Sequence, residues 1–274
     1  MPYIIISGSL IIALIIIRIA VVGRVEPLPG LEIAHAQTIG NCEIMADAFQ
    51  WAVSRDKSLL ILADGIGSGT RGRTAALAAT DSMARTYELQ GLTANPAYFF
   101  KQAFQNANEA VLRYIPDSTA GTSLLGVLVT DGTLYYALAG NCKLMVFRGG
   151  ELIALSEGQT LDVLAKDAYR KREISREEAI IAAKERRLYN FVGKDDFKEM
   201  EMSDIPVKLK EGDYLVLMTA GVYDFCPTLD LEKVLRERGS CQNKAQGIID
   251  ILINRGDVEQ ENATVVLARV NRVS

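Results

Sequence analysis

The chain has 274 residues, of which 49% are hydrophobic and 23% are charged, and its formal net charge is −4. This composition supplies enough apolar side chains for a substantial core and excludes an intrinsically disordered chain. The acidic balance, with a pI near 5.3, also argues against nucleic acid as a partner, because a nucleic-acid-binding protein needs a basic stripe. The sequence therefore predicts a folded protein with no nucleic-acid partner.

Cysteine and histidine are too few for several common kinds of site. Four cysteines are scattered along the chain without a C-x-x-C pair, which predicts neither a zinc site nor a secreted disulfide framework and fits a reducing compartment. The single histidine, His35, is expected to precede the main domain, which excludes a histidine base or a multi-histidine metal site in the core. Chemistry must then depend on carboxylates, hydroxyls or a bound ion.

The N-terminal segment differs in kind from the rest of the chain. Residues 3–23 are almost wholly apolar, with Arg18 as the only charge, and this length is sufficient to span a bilayer as a helix. We therefore predict a transmembrane anchor over residues 1–24. No Lys or Arg precedes the apolar segment, whereas Arg24 follows it, so the charge bias predicts a single-pass protein of the cell membrane with its C-terminal domain in the cytoplasm.

The residues after the anchor are predicted to connect it to the domain. Residues 25–32 contain Pro27 and Pro29, which favour a short, stiff linker. A cleaved signal peptide remains the alternative, because Ala34-His35-Ala36 is similar to a cleavage site. That site lies far beyond the apolar stretch, however, and no basic region precedes the stretch.

Residues 33–274 are predicted to form one α+β domain, because no repeat or low-complexity tract divides them. Helical patterns run from about Thr74 to Leu89 and from about Pro96 to Tyr114. Asp131-Gly132 lies between two apolar runs, which is a strong hairpin signal. A charged helical insertion is expected over about residues 160–187, with a capped helix beginning near Ser175. Further strands are expected at 143–148, 152–155, 213–219 and 262–267, with a helix at 244–254.

An acid at the end of an apolar run is the most informative local feature. The strand pattern Leu59–Ala63 is followed by Asp64-Gly65-Ile66-Gly67-Ser68-Gly69. A carboxylate there is costly to desolvate unless a cation meets it, and the glycines allow an ion or a phosphate to approach the backbone. An ordinary strand-turn-helix corner remains the plain alternative, since Asp-Gly is a common turn dipeptide.

Residues 67–72 also match the G-x-G-x-x-G dinucleotide fingerprint. A dinucleotide fold needs a strand directly after the following helix, with an acid at its end. Here a second helical pattern follows the first, so the dinucleotide interpretation is rejected.

Six motifs in order resemble those of the PPM-type metal-dependent protein phosphatases, also called the protein phosphatase 2C family, in their bacterial form. Residues 40–49, GNCEIMADAF, resemble the family's opening G-N-R-x-x-x-x-D-x-F, and residues 64–69 resemble its D-G-x-G turn. Residues 121–123 resemble the G-[ST]-[ST] strand entry, and residues 139–143 the G-D-S-R hairpin. Residues 212–221 stand where G-D-x-x-L-L-x-S-D-G is expected, and residues 261–264 where D-N-x-T is expected.

The resemblance implies a four-layer α-β-β-α sandwich of two antiparallel sheets flanked by helices, preceded here by one transmembrane helix. It also implies two divalent ions, Mn²⁺ or Mg²⁺, that share carboxylates and activate a water for attack on a phosphoryl group. The metal positions fall on Asp47, Asp64, the Gly65 carbonyl and Glu261.

Several positions depart from the family's pattern. Ala220 replaces an expected metal-binding acid, and Asn141 replaces the hairpin acid associated with a third ion. Glu261 replaces Asp and adds a methylene, which displaces its carboxylate by more than the ~0.2 Å that coordination distances tolerate. Cys42 replaces the arginine that holds the phosphate, and a thiol cannot make a bidentate charged contact.

These departures favour a catalytically impaired phosphatase, or pseudophosphatase, that binds weakly to one ion or to none. Such a protein would act in signalling by binding a phosphoprotein or a regulatory protein partner. The alternative is an active metal-dependent Ser/Thr phosphatase with a modified metal site. A scaffold without any ligand is a third possibility. No catalytic residue is assigned with certainty from the sequence.

Overall fold

A computed structural model of the chain describes residues 30–53, 57–90, 95–182, 184, 187–197, 199–203 and 205–271. The predicted anchor over residues 1–24 and the first five residues of the predicted linker lie outside the described residues. Within the described residues, no helix is long and apolar enough to cross a membrane.

The described residues contain eleven strands and seven helices. The strands are β1 Leu31–Thr38, β2 Ala48–Val53, β3 Lys57–Ile66, β4 Gly121–Thr130, β5 Thr133–Ala139, β6 Lys143–Arg148, β7 Glu151–Ala154, β8 Glu201–Met202, β9 Val207–Lys208, β10 Tyr214–Met218 and β11 Ala263–Val270. The helices are α1 Arg71–Gln90, α2 Pro96–Tyr114, α3 Leu161–Arg170, α4 Arg176–Ala182, α5 Ala220–Tyr223, α6 Thr228–Arg236 and α7 Cys241–Arg255.

Two sheets with antiparallel strand pairs form the centre of the fold. One sheet has the strand order β1-β11-β10-β6-β7, and the other has the order β2-β3-β4-β5-β8, with β9 also paired to β5. The turn between β4 and β5 is the predicted hairpin, in which Asp131 has φ 49° and Gly132 has φ 64°. Two successive residues with positive φ match the right-handed twist of the strands, which is why Asp-Gly is favoured there.

Three layers of buried side chains give four layers of secondary structure. On β3, Leu59, Ile61 and Ala63 belong to a cluster with α1 and α2, whereas Leu60 and Leu62 belong to a cluster between the two sheets. The third cluster lies between the first sheet and α5 to α7. A strand with both faces buried needs apolar residues at every position, which explains the unbroken run in β3. The predicted two-sheet sandwich flanked by helices is therefore confirmed.

The folded domain begins earlier than the predicted boundary at residue 33. β1 starts at Leu31, so residues 31 and 32, which were assigned to the linker, belong to the sheet. The expectation that His35 precedes the domain is also wrong, because His35 pairs with Val266 of β11. The His35 ring lies 4.0 Å from the Phe49 ring, and burial lowers its pKa. His35 is therefore a packed sheet residue.

The charged insertion contains two helices, α3 and α4, where the sequence predicted one capped helix. The predicted cap is confirmed: the Glu178 amide donates to Ser175 Oγ at 3.2 Å, and the Ser175 amide donates to Glu178 Oε2 at 2.8 Å. This reciprocal pair is a capping box. Across both helices, only Ala165 is buried.

Candidate functional site

Two carboxylates meet where the second sheet ends. Asp47 directly precedes β2, and Asp64 lies near the end of β3. Ala48 pairs with Ala63 in the antiparallel register, and continuing that register by one residue places Asp47 opposite Asp64. The neighbouring glycine is required by close packing, because a Cβ on Gly65 would collide with the carbonyls of Gly72 and Ala46. The turn after the acid is thus pressed against the start of α1.

Two segments of the first sheet reach the same place. β10 ends at Met218, Thr219 follows, and α5 begins at Ala220, while Glu261 lies two residues before the start of β11. The Ala220 amide donates to Asp64 Oδ2 at 3.3 Å, so the sandwich brings β10 and β3 together at this point. Gly221 permits the approach, because a Cβ there would collide with the Asn262 carbonyl.

These segments surround an open cavity of about 370 Å³. Its lining includes Cys42, Glu43, Asp64, Gly65, Glu261 and Asn262. Four of the predicted site residues, Cys42, Asp64, Gly65 and Glu261, are therefore brought together. Asp47 is buried and is not among the residues described as lining the cavity.

The two aspartates are destabilised as anions. Burial raises the pKa of Asp47 to about 6, although the hydroxyls of Thr264 and Thr219 oppose the rise. The pKa of Asp64 is raised well above its usual range by burial and then by the charge of Asp47, with smaller contributions from Glu261 and Asp224. Carboxylates that repel one another in a buried site are stabilised as anions by a cation.

Hydrogen bonding leaves one oxygen of Asp47 for another partner. Thr219 Oγ1 donates to Asp47 Oδ2 at 2.9 Å and accepts from the Thr264 amide at 2.9 Å. Asp47 Oδ1 and Thr264 Oγ1 are both buried, and among the described residues neither has a hydrogen-bond partner, although the Thr264 hydroxyl is near enough to lower the pKa of Asp47. An unsatisfied buried carboxylate oxygen next to a second acid fits one hard cation such as Mn²⁺ or Mg²⁺, which accepts few protein carboxylates. In the described part of the chain, no three His, Cys, Asp or Glu side chains form a group that could hold a metal ion.

The residues that depart from the family's motifs lie in different parts of the site. Ala220 contributes only its backbone amide to Asp64. Cys42 is exposed on the loop between β1 and β2, at the mouth of the cavity. Asn141 is directed to a neighbouring strand, since its Oδ1 accepts from Ser123 Oγ at 2.7 Å. The Asn141 side chain is therefore used in the β5–β6 turn.

Sequence reasoning did not identify the residues that hold the cavity-lining loop. Asn262 Nδ2 donates to the Ile39 carbonyl at 2.8 Å, and Asn262 Oδ1 accepts from the Ala46 amide at 2.7 Å. One side chain thus closes both ends of the loop that carries Cys42. Thr219, which orients Asp47, was also missed as a site residue. Both residues lie inside the quoted motifs, so the motif positions themselves were the available signal.

A third residue near the site was likewise not predicted. Arg73 lies in the first turn of α1, and its Nη1 donates to the Met45 carbonyl at 3.2 Å. Met45 lies between Ile44 and Ala46, which both line the cavity. The signal available in the sequence was a pair of arginines, Arg71 and Arg73, directly after the glycine turn.

Comparison with known sequences identifies one family. Residues 36–252 match the family profile described as protein phosphatase 2C. The chain is 24% identical over 225 residues to the serine/threonine phosphatase stp of Listeria welshimeri, an alignment that covers 79% of this chain and 86% of that protein. It is 23% identical over 221 residues to the serine/threonine phosphatase stp of Listeria monocytogenes, covering 77% of this chain and 84% of that protein.

Solved structures show the same fold. The serine/threonine phosphatase of S. agalactiae superposes with a TM-score of 0.76 at 21% identity, covering 88% of this chain and 100% of that chain. The catalytic domain of the serine/threonine protein phosphatase PstP, solved in complex with two manganese ions, has a TM-score of 0.70 at 21% identity, covering 89% of this chain and 99% of that chain. The profile match spans most of the chain and agrees with the two-sheet sandwich, so this chain belongs to the protein phosphatase 2C family.

Proposed function

We propose that this chain is a membrane-anchored, catalytically impaired member of the protein phosphatase 2C family that acts in signalling by binding a phosphorylated or regulatory protein. Ala220 is the observation that carries the proposal. It meets Asp64 only through a backbone N–H, at a position where the family's motif has a carboxylate. A backbone donor cannot replace an anionic metal ligand, because a cation needs an oxygen there.

The loss of a guanidinium at Cys42 supports the same conclusion. The cavity lining contains three acids, Glu43, Asp64 and Glu261, and no Lys or Arg among the described residues. Removing one preorganised donor from the charge that develops in a transition state commonly costs about 3 kcal/mol or more. Two losses at one site favour a protein that retains binding and has little turnover.

Asp47, Asp64 and the Gly65 carbonyl are the groups that would hold a single weak Mn²⁺ or Mg²⁺ ion. Such an ion would supply positive charge for phosphoryl oxygens. Thr219 would keep one oxygen of Asp47 occupied and direct the other toward the ion. Glu261 would contribute charge at a greater reach than the aspartate of the family's pattern.

An active Ser/Thr phosphatase is the second candidate, and the pair of buried aspartates favours it. Burial raises the pKa of both groups, the charge of Asp47 raises that of Asp64 further, and a catalytic cation would remove this cost. Perturbed carboxylates in a cleft are typical of functional sites.

Turnover of a phosphothreonine peptide, measured with saturating Mn²⁺, separates the two candidates. The full chain in detergent micelles is compared with an Asp64→Ala variant, and isothermal titration on the same samples gives the metal stoichiometry. We expect at most one weak ion and turnover that does not exceed the variant's. Robust Mn²⁺-dependent turnover that Asp64→Ala abolishes would establish the active phosphatase.

A further inference from the structure

We infer that Arg73 supplies the guanidinium that receives the phosphoryl group of a phosphorylated protein segment in this chain, an inference that rests on the proposed phosphoprotein binding. Because Cys42 stands where the family has an arginine, the cavity-lining loop between β1 and β2 supplies no cation. The described lining of the cavity is acidic. A phosphoryl group entering this cavity therefore needs a positive charge from elsewhere. Arginine is the side chain best suited to a phosphate, because its planar donors bind two oxygens at once.

Arg73 is not among the residues that line the cavity, and its position beside the cavity-lining loop comes from close packing of two glycines. A Cβ on Gly72 would lie 3.0 Å from the Gly65 carbonyl carbon, so the start of α1 contacts the cavity-lining turn directly. Arg73 is the next residue, and its Nη1 reaches the Met45 carbonyl between two lining residues. The guanidinium thus lies against the loop that carries Cys42.

Arg73 also has donors to spare. The guanidinium has five N–H groups, and its hydrogen bond to Met45 occupies one of them. Arg73 is exposed, so a ligand can reach it. A phosphoryl group bound at this cavity would then be stabilised by the Arg73 guanidinium and by any ion that Asp47 and Asp64 would hold.

Arg71, only two residues away, is already engaged and provides a matched control. Its Nη1 lies 3.0 Å from Asp117 Oδ2 and also contacts Thr119 Oγ1. Both arginines are exposed and carry the same charge, so replacing either changes the net charge equally. Only Arg73 lies against the cavity-lining loop.

The test measures binding of a phosphothreonine peptide and of its unphosphorylated counterpart to the full chain in detergent micelles with Mn²⁺. We expect Arg73→Ala to weaken the affinity for the phosphopeptide by about tenfold or more and to leave the affinity for the unphosphorylated peptide unchanged. Arg71→Ala should change neither affinity by more than about twofold, as is usual for an exposed charge. Arg73→Lys should fall between wild type and Arg73→Ala, because an ammonium keeps the charge and loses the bidentate geometry.

Restoring the family's arginine at residue 42 provides an independent test of the same proposal. Cys42→Arg in the Arg73→Ala background should recover phosphopeptide binding, since residue 42 lines the same cavity. Equal losses in Arg71→Ala and Arg73→Ala, or an unchanged affinity in Arg73→Ala, would overturn the assignment of Arg73 and leave phosphoprotein binding standing. If the wild-type chain binds the phosphorylated and unphosphorylated peptides with equal affinity, both the assignment of Arg73 and the proposal of phosphoprotein binding fail. If wild type hydrolyses the peptide, a tenfold rise in KM for Arg73→Ala alone still supports Arg73, while the impaired-enzyme proposal fails.

Discussion

At the scale of single residues, the candidate site combines buried carboxylates with two residues that depart from the family's motifs. Asp47 and Asp64 face one another, whereas Ala220 offers an amide and Cys42 offers a thiol. A site of this kind is expected to respond stepwise as the missing groups are restored, because each group contributes to a different function.

Ala220→Asp adds a carboxylate beside Asp64, and Glu261→Asp shortens an overlong side chain. We expect each to raise Mn²⁺ affinity, Ala220→Asp by about tenfold, which corresponds to about 1.4 kcal/mol. Cys42→Arg should improve phosphopeptide binding without changing metal affinity. Turnover should emerge only in the triple variant and should exceed the sum of the single variants, because residues that act as a unit are not additive. Isothermal titration and a steady-state assay measure the two quantities.

Ala220→Asn is the control, since a carboxamide has the size of a carboxylate without its charge. If the triple variant folds and binds no more Mn²⁺ than wild type, Ala220 and Glu261 are not at metal positions.

A buried lysine outside the site illustrates how a single side chain stabilises the fold. Lys244 Nζ donates to the carbonyls of Val234 and Leu235 at 3.3 and 2.9 Å, and also to the Glu237 carbonyl. These carbonyls lie at the C-terminal end of α6, where helix partners are missing. Burial lowers the pKa of Lys244, so the hydrogen bonds offset a desolvation cost.

We expect Lys244→Met to lower the free energy of unfolding by about 2–3 kcal/mol, because the carbonyls lose a charged donor in a buried setting. Lys233→Met, on the exposed face of α6, should change it by less than about 0.5 kcal/mol. Urea denaturation of both variants provides the comparison. Equal effects would mean that the capping contacts contribute nothing beyond the lysine's charge.

At the scale of elements, the charged insertion is attached to the domain mainly at its ends. Across α3 and α4, only Ala165 is buried. The segment that follows the insertion, residues 191–194, is held by Asn108 of α2. The Asn108 Oδ1 accepts hydrogen bonds from the Gly193 and Lys194 amides at 2.6 and 3.2 Å. Its Nδ2 donates to the Lys194 carbonyl at 2.9 Å. Few buried contacts imply low local stability.

We therefore expect backbone amides of residues 161–182 to exchange with deuterium faster than those of β3. Asn108→Ala should accelerate exchange at residues 191–194, because it removes three hydrogen bonds. Asn106→Ala, two residues away on the same helix with a side-chain hydrogen bond to Thr86, is the matched variant and should leave that segment unchanged. Exchange in α3 as slow as in β3 would show that the insertion is a rigid part of the domain.

The sequence predicted elements where local patterns decide the structure. Pro96 and Tyr114 bound α2 as predicted, because Asn95 and Pro96 are strong helix-start signals and the periodicity is clear. β8 and β9 were not predicted, since each has two residues and no pattern can be read from two positions. His35 was misplaced because its strand is recognised only by pairing with β11, more than 200 residues later.

In the site, too, some residues can be predicted from local sequence patterns and others depend on tertiary contacts. Asp47, Asp64 and Glu261 were identified through motifs, whereas Arg73 depends on contact between Gly72 and Gly65. That contact is tertiary and has no separate signature in the sequence. Motif positions therefore predict which acids converge, and packing determines which arginine contacts the cavity-lining loop.

At the scale of the whole molecule, the start of the domain and its cavity lie at opposite ends of the same strand. Leu31 pairs with Val270 at one end of β1, and Thr38 pairs with Ala263 at the other, next to the Asn262 that lines the cavity. Eight residues of strand separate these ends by roughly 23–26 Å. If residues 3–23 anchor the chain as proposed, the polypeptide enters the domain from the side away from the cavity.

The proposed topology predicts that the chain fractionates with membranes and that its domain is protected inside the cell. A protease added to spheroplasts should leave residues 30–271 intact, and the same protease should digest them once the membrane is permeabilised. Deleting residues 1–24 should release the protein into the soluble fraction, because the apolar stretch is the only one of that length. Digestion from outside would reverse the orientation, and a mature protein beginning near Gln37 would replace the anchor by a signal peptide. Cleavage there would also remove most of β1 and expose the edge of β11, so such a product should lose stability.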